Sequence, residues 1–236
     1  MIAALALLLV QAPTAVPAPA PATAAKVSAE ALAFAEAYVP AEMTTRNAVA
    51  GFRTEGGKAL AQQPTITTLE QRSPGARTKL LDAGAAVVER TYRDGLPALQ
   101  QRIAAVAAAD LSADDLREVT RFLVSPTGRA LQGAVAANVD TAKIAAAGQA
   151  NGKLTSSDLT GAIDMAGSLQ AMTPAQIGEL ARFGATGAGR RFQSAVPKLQ
   201  AAITDETNKL GQAVTPAVAQ AMMMTMRSLA APVKGK

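Results

Sequence analysis

An all-α fold, a multi-helix bundle built around two related helical hairpins, is what the sequence predicts, on three observations. The stretch LSADDLREVTRFLVSPTGRALQ at 111–132 returns without a gap as MTPAQIGELARFGATGAGRRFQ at 172–193. Apolar residues recur at helical spacing along both copies and along most of the chain. The aromatic and β-branched clusters that a sheet needs are scarce, with aromatics only 3% of the residues.

Residues 2–10 form an uninterrupted apolar run of the length of a secretory signal core, far too short to span a bilayer as a helix. Only the terminal amine supplies positive charge there. Ala20-Pro21-Ala22 and Ala22-Thr23-Ala24 both fit a small-x-small cleavage pattern, and residues 13–21 alternate Pro and Ala as an extended tether. Residues 1–24 are therefore expected to be a signal peptide and tether, and the protein periplasmic. A retained, uncleaved anchor is the other reading.

Ser28 can cap a helix that carries Leu32, Ala35 and Val39, and Pro40 then starts another with Met43, Ala50 and Phe52. Gly56-Gly57 and Pro64 predict a loop. Ser73-Pro74 reads as a cap followed by proline, opening a helix through Leu80, Leu81, Val87 and Val88 toward Tyr92. Residues 93–97 predict a turn, after which Leu99, Ile103 and Val106 share a stripe. Such a succession makes an antiparallel bundle.

The two copies share Glu118/Glu179, Arg121/Arg182, Phe122/Phe183, Gly128/Gly189, Arg129/Arg190 and Gln132/Gln193. Each opens on a capping box, Ser112 with Asp115 and Thr173 with Gln176, in which a hydroxyl and a side chain three residues on serve each other's backbone N–H. Leu116, Val119 and Leu123, and then Ile177, Leu180 and Gly184, form the inward stripes. Ser125 with Pro126 restarts a helix in the first copy.

The run LREVTRFLVSPTGRAL resembles the signature of the bacterial domain-of-unknown-function 2059 family, in which an acidic-start helix ends at an aromatic residue followed by Ser-Pro-x-Gly and a long second helix. The second copy departs from it, since Thr186-Gly187 replaces Ser-Pro. The resemblance implies an all-helical exported protein of uncharacterised role, and it carries over no catalytic residues.

Beyond the first copy, the helix is expected to continue through Leu131, Val135, Val139 and Ala142 to a loop at 148–152, the candidate boundary between helical halves at 27–150 and 153–231. Leu159, Ile163, Ala166 and Leu169 then lead into the second copy. Val196, Leu199, Ile203 and Leu210 make a stripe that Pro197 starts or bends, and Thr215-Pro216 reads as a new start before Val218, Met222, Met226 and Leu229. The tail at 232–236 is short and basic. Flexible methionines ordinarily fill gaps between small side chains. The sharper readings are a partner groove at Met222 and Met226 that accepts apolar segments, and a soft thioether site for cuprous ion.

The chain has neither Cys nor His, which removes disulfides, the zinc sites that need those ligands, and Cys-His or Ser-His nucleophilic pairs. No Ser-x-x-Lys is present. The formal net charge of +5 is spread along the chain without basic runs or interleaved aromatics, so no nucleic-acid partner is expected, while weak association with an anionic membrane surface is compatible. Asp114, Asp115 and Glu118 suit a helix N-terminus, where carboxylates meet the helix dipole. Arg129 and Arg190, beside Gly128 and Gly189, are candidate anion contacts. No catalytic residue, metal ligand or cofactor is identified. The expectation is a non-enzymatic exported protein that binds a protein or lipid-like partner through apolar helical grooves. A hydrolase-like enzyme using carboxylates and arginines such as Glu118 and Arg121 is the alternative.

Overall fold

The Ser28 hydroxyl accepts from the N–H of Ala31 at 3.2 Å and starts α1 (Ala29–Tyr38), which buries Ala31, Phe34, Ala35 and Tyr38. A computed structural model describes residues 27–230. The expected signal peptide and tether, and the basic tail, lie outside the described residues. Among those residues the chain is all-α, with eleven helices and a single isolated β-bridge.

Pro40 opens α2 (Ala41–Ala61), which runs straight through the loop expected at Gly56-Gly57. A Cβ on either glycine would stand in ordinary van der Waals contact with Leu81, at 3.4 and 3.8 Å, so both positions, within a continuous helix, face the neighbour that carries Leu81. After α3 (Pro64–Arg72), the start of α4 (Ala76–Asp110) differs from the expected Ser73-Pro74 cap. Gly75 adopts φ 83°, a left-handed conformation suited to glycine, and the Glu70 carboxylate accepts from the N–H groups of Gly75 and Arg77, each at 2.7 Å. These two bonds hold the Glu70 carboxyl below its ordinary pKa.

α4 absorbs the turn expected at 93–97. Pro97 is exposed, so the carbonyl that its missing N–H leaves unbonded faces water. The lack of a side chain at Gly95 leaves room for Leu210, since a Cβ there would come within 2.2 Å of it. Two short helices follow: α5 (Ala113–Leu123), with the Ser112–Asp115 capping box, and α6 (Pro126–Ala137), capped by Ser125.

The helix expected to continue to Gly148 stops at Ala137. The Asn138 side chain donates to the Ala134 carbonyl at 2.9 Å, and Asp140 caps a fresh helix, α7 (Thr141–Asn151). The apolar stripe expected to run through Leu159, Ile163, Ala166 and Leu169 likewise divides, into α8 (Ser156–Gly161) and α9 (Met165–Gln170), the second capped by Asp164. Val139 and Ile163 form the antiparallel bridge, with the Asp140 N–H donating to Ala162 at 2.8 Å and the Asp164 N–H donating to Asn138 at 3.0 Å. Two aspartate caps thus sit on one bridge, which satisfies the backbone groups that both helix breaks expose.

α10 (Pro174–Ala185) carries the Thr173–Gln176 capping box and buries no residue. α11 (Gly187–Ala230) is a single helix that contains Pro197 and Pro216, both exposed. The Thr215 hydroxyl donates to the Gly211 carbonyl at 2.9 Å, one turn back, so it belongs to the helix interior and caps nothing. α11 packs lengthwise on α4. One end of that pair, with α1 and α5, encloses Phe34, Ile103, Leu116, Val119 and Leu199; the other, with α2 and α3, encloses Phe52, Ile66, Leu80, Tyr92 and Val218. A third, small core joins Ile144, Leu154, Leu159 and Ala162.

The turns that link α5 to α6 and α10 to α11 have the same local geometry. Ser125 (φ −67°, ψ 162°) and Thr186 (φ −70°, ψ 162°) each accept from the N–H three residues on, at 3.1 and 3.0 Å. A Cβ on Gly128 would lie 2.1 Å from the Phe122 carbonyl oxygen, and one on Gly189 2.0 Å from that of Phe183. Both obstacles are backbone, so neither can swing aside. Gly128→Ala is expected to lower unfolding stability by about 2 kcal/mol, whereas Gly133→Ala, at an open helical site with nothing within 4 Å, should raise it by up to ~1 kcal/mol. Urea unfolding of the two variants checks this; equal stabilities would contradict the contact.

Candidate functional site

Phe122 lies near the end of α5 and Phe183 near the end of α10, and the two rings meet face to face with centroids 4.0 Å apart and planes 1° from parallel. From there the aromatic contacts run to Phe192 at 6.5 Å, and on to Phe34 and Tyr38 of α1 at 6.0 and 5.8 Å. Five rings out of five Phe and two Tyr in the whole chain are gathered at this junction. Each ring contact adds roughly 0.5–1.5 kcal/mol beyond its area. In an alanine-rich protein the largest side chains are thus concentrated where α1, α5, α10 and α11 meet.

Polar contacts flank the rings. Asp115, buried at the start of α5, accepts from Nε of Arg191 at 2.9 Å and Nη2 at 2.5 Å. It also accepts from the Ser112 hydroxyl at 2.8 Å and the Ser112 N–H at 3.1 Å. The Arg191 guanidinium, followed by the Ser112 donors, outweighs desolvation and brings the Asp115 carboxyl down to about 2. On the other flank, the buried hydroxyl of Thr127 donates to the Glu179 carboxylate. Both contacts tie the first turn to the second.

The sequence-expected residues fall elsewhere. Met222 belongs to the second core and Met226 packs against it, so the expected partner groove at these two methionines is filled by the protein's own helices. The exposed methionines are Met223, at 50%, and Met224, at 63%. Arg129 is exposed, and Arg190 turns back to donate to the Ala185 carbonyl at 2.5 Å. The N–H groups beside them, of Gly128 and Gly189, are already served by Ser125 and Thr186. The expected anion contact at Arg129 and Arg190 is therefore not assembled; Arg190 acts on the end of α10 instead. Glu118 is half-buried and Arg121 exposed, and no ion pair joins them. No group of three or more Asp or Glu able to hold a metal occurs among the described residues.

What the two stripes touch differs sharply. Leu116, Val119 and Leu123 of α5 are 2%, 0% and 6% exposed, in one core with Ala31, Phe34 and Ala35 of the helix α1 that packs on them. In α10, at the same positions after the cap, Ile177 is 42% exposed while Leu180 and Gly184 are half-buried. α10 packs against α11 and, over a shorter stretch, α6. Its outer face carries apolar residues that no described helix covers. Periodicity does not distinguish a covered stripe from an open one, and the two stripes have the same spacing from their caps. The ring stack, by contrast, had a signal: the same Phe in both copies, which meet if the copies face one another.

Comparison with protein-family models, with curated proteins and with solved structures finds no match to this chain.

The Asp115–Arg191 contact has a pH signature. A carboxyl with a folded-state pKa near 2 and an unfolded value of about 3.9 stabilises the fold above that unfolded value, and the gain is lost as pH falls through about 4 toward 2. Arg191 opens partly to solvent, so removing the charge by Asp115→Asn should cost about 1–2 kcal/mol at neutral pH. The gap between wild type and variant should narrow as pH falls from about 4 and close only below the folded pKa of about 2. Thermal melts across this range test it, and a pH-independent gap would contradict it.

Proposed function

We propose that this is a non-enzymatic, exported helical protein that holds a partner through an apolar helical surface, the outer face of α10. One observation carries the reading: α10 is a well-capped twelve-residue helix that buries none of its residues and shows Ile177 at 42% exposure. A helix with an apolar stripe is stabilised mainly by what covers that stripe. Here the cover is missing from the described fold, while α5 has it. Ile177 shares that stripe with the half-buried Leu180 and Gly184, so the open face is continuous along the helix.

We read the segments at 111–132 and 172–193 as two copies of one unit, on their shared residues and matched turns. Export is supported by the apolar run at 2–10 and the small-x-small sites that follow it. Kinship with the domain-of-unknown-function 2059 family is supported by the motif at 116–131.

A photoreactive residue at Ala181, an exposed position on α10, tests the reading in the exported fraction. Irradiation is expected to give an adduct of discrete mass that Ile177→Glu suppresses at least five-fold. Recovery of the chain only from cytosol, an absence of adduct, or an adduct indifferent to Ile177→Glu would overturn it.

A further inference from the structure

We infer that residues 140–162 form a helical flap that swings as one body about the Val139–Ile163 bridge and is latched shut by Asn208 of α11. The flap comprises α7, α8 and the loop that joins them, and the bridge closes its two ends. There the Asp140 N–H donates to the Ala162 carbonyl at 2.8 Å and the Asp164 N–H to the Asn138 carbonyl at 3.0 Å. On the other side of the bridge the chain is anchored. α9 packs on α6, the fully buried Ser168 donates its hydroxyl to the Asp164 carbonyl at 2.7 Å, and the Asn138 amide holds the Ala134 carbonyl at 2.9 Å. A paired base with one anchored side is a place where a few backbone torsions can absorb a rotation.

What lies beyond the bridge carries its own core. Ile144, Ala145, Leu154, Leu159 and Ala162, with Val139 and Ala147 packed against them, all fall within residues 139–162, and none of them belongs to either large core. An outward swing therefore takes these side chains along together and divides no apolar cluster. Had α7 or α8 lent a side chain to the cores built on α4 and α11, the same motion would cost the burial of that side chain.

Hydrogen bonds tie the flap to the body. The Leu154 N–H donates to Oδ1 of Asn208 at 2.8 Å and Nδ2 of Asn208 donates to the Leu154 carbonyl at 2.9 Å, so one side-chain amide takes both backbone groups of a single residue. Beside this latch the Ser156 and Thr204 hydroxyls meet at 3.2 Å, and the Thr141 hydroxyl donates to the Glu55 carboxylate of α2 at 3.4 Å. Water can stand in for each partner when the flap lifts, so the net contribution of these bonds is small. Polar contacts between parts of one chain permit relative motion in a way that a shared apolar core does not. Opening bares a polar strip, Thr204 and Asn208 of α11 with Glu55 of α2, in which Thr204 is buried while the flap is shut.

Because the chain has no cysteine, a single introduced thiol reports the motion. Thr204→Cys places one at the contact with Ser156, and Val218→Cys places one in the second core, where Val218 is buried. With a maleimide in excess, the Thr204→Cys chain is expected to react roughly ten-fold faster or more, since its thiol needs only the flap to lift whereas the other needs the whole fold to open. Adding Asn208→Ala should raise the first rate roughly ten-fold and leave the second unchanged. Amide exchange separates swinging from melting: the Leu154 N–H, bonded to Asn208, should exchange roughly ten-fold faster than the amides in the middle of α7. Oxidising a Ser156→Cys/Thr204→Cys pair to a disulfide should slow that Leu154 exchange by about the same factor. Equal labelling of the two thiols, a rise at both positions with Asn208→Ala, or a disulfide that leaves Leu154 exchange unchanged would overturn the inference. So would α7 amides that exchange together with Leu154, because the segment would then unfold in place instead of turning about the bridge.

Discussion

The lengthwise packing of α11 on α4 is the constraint on which everything else depends. Each of the two larger cores contains residues of both helices, Ile103 with Leu199 at one end and Tyr92 with Val218 at the other. The contact is made close by glycine: Gly95 against Leu210, and Gly84 near Phe52 and Val218. Side chains this small bury little area each. Length substitutes for bulk, and the two long helices supply it. Their prolines are tolerated because Pro97, Pro197 and Pro216 all face solvent, where water can serve the carbonyls that lose their partners.

That arrangement explains which parts of the fold the sequence disclosed. The all-α class and the caps at Ser28, Ser112, Ser125 and Thr173 are local properties, set by a hydroxyl and the N–H groups beside it, and they can be read directly. Breaks expected at Gly56-Gly57, at 93–97 and at Thr215-Pro216 were overridden by packing: each signal is a local preference of a few kcal/mol at most, and a buried face extends across every one. The reverse error occurred at Asn138 and Ile163. There the apolar period continues, but aspartate caps and a long-range bridge stop the helix. Whether a stripe is covered depends on elements far away in sequence, which is why the buried Leu116 and the open Ile177 looked alike.

The junction of the two turns holds both the ring cluster and the helix that buries none of its own residues. Phe122 against Phe183, Asp115 with Arg191 and Thr127 with Glu179 fix α10 at its end and flank. Its outer stripe is left alone. A surface held rigid from behind loses little conformational freedom when something docks in front.

Because α11 completes both large cores, the order in which structure can form is constrained as well. Phe34, near the beginning of the described chain, shares its core with Leu199, and Phe52 shares its own with Val218. Neither core can close while the C-terminal helix is still unmade, and non-local closures of this kind slow folding more than they cost in final stability. Until α11 is in place, the apolar faces of α1, α2 and α4 lack the side chains that complete both cores.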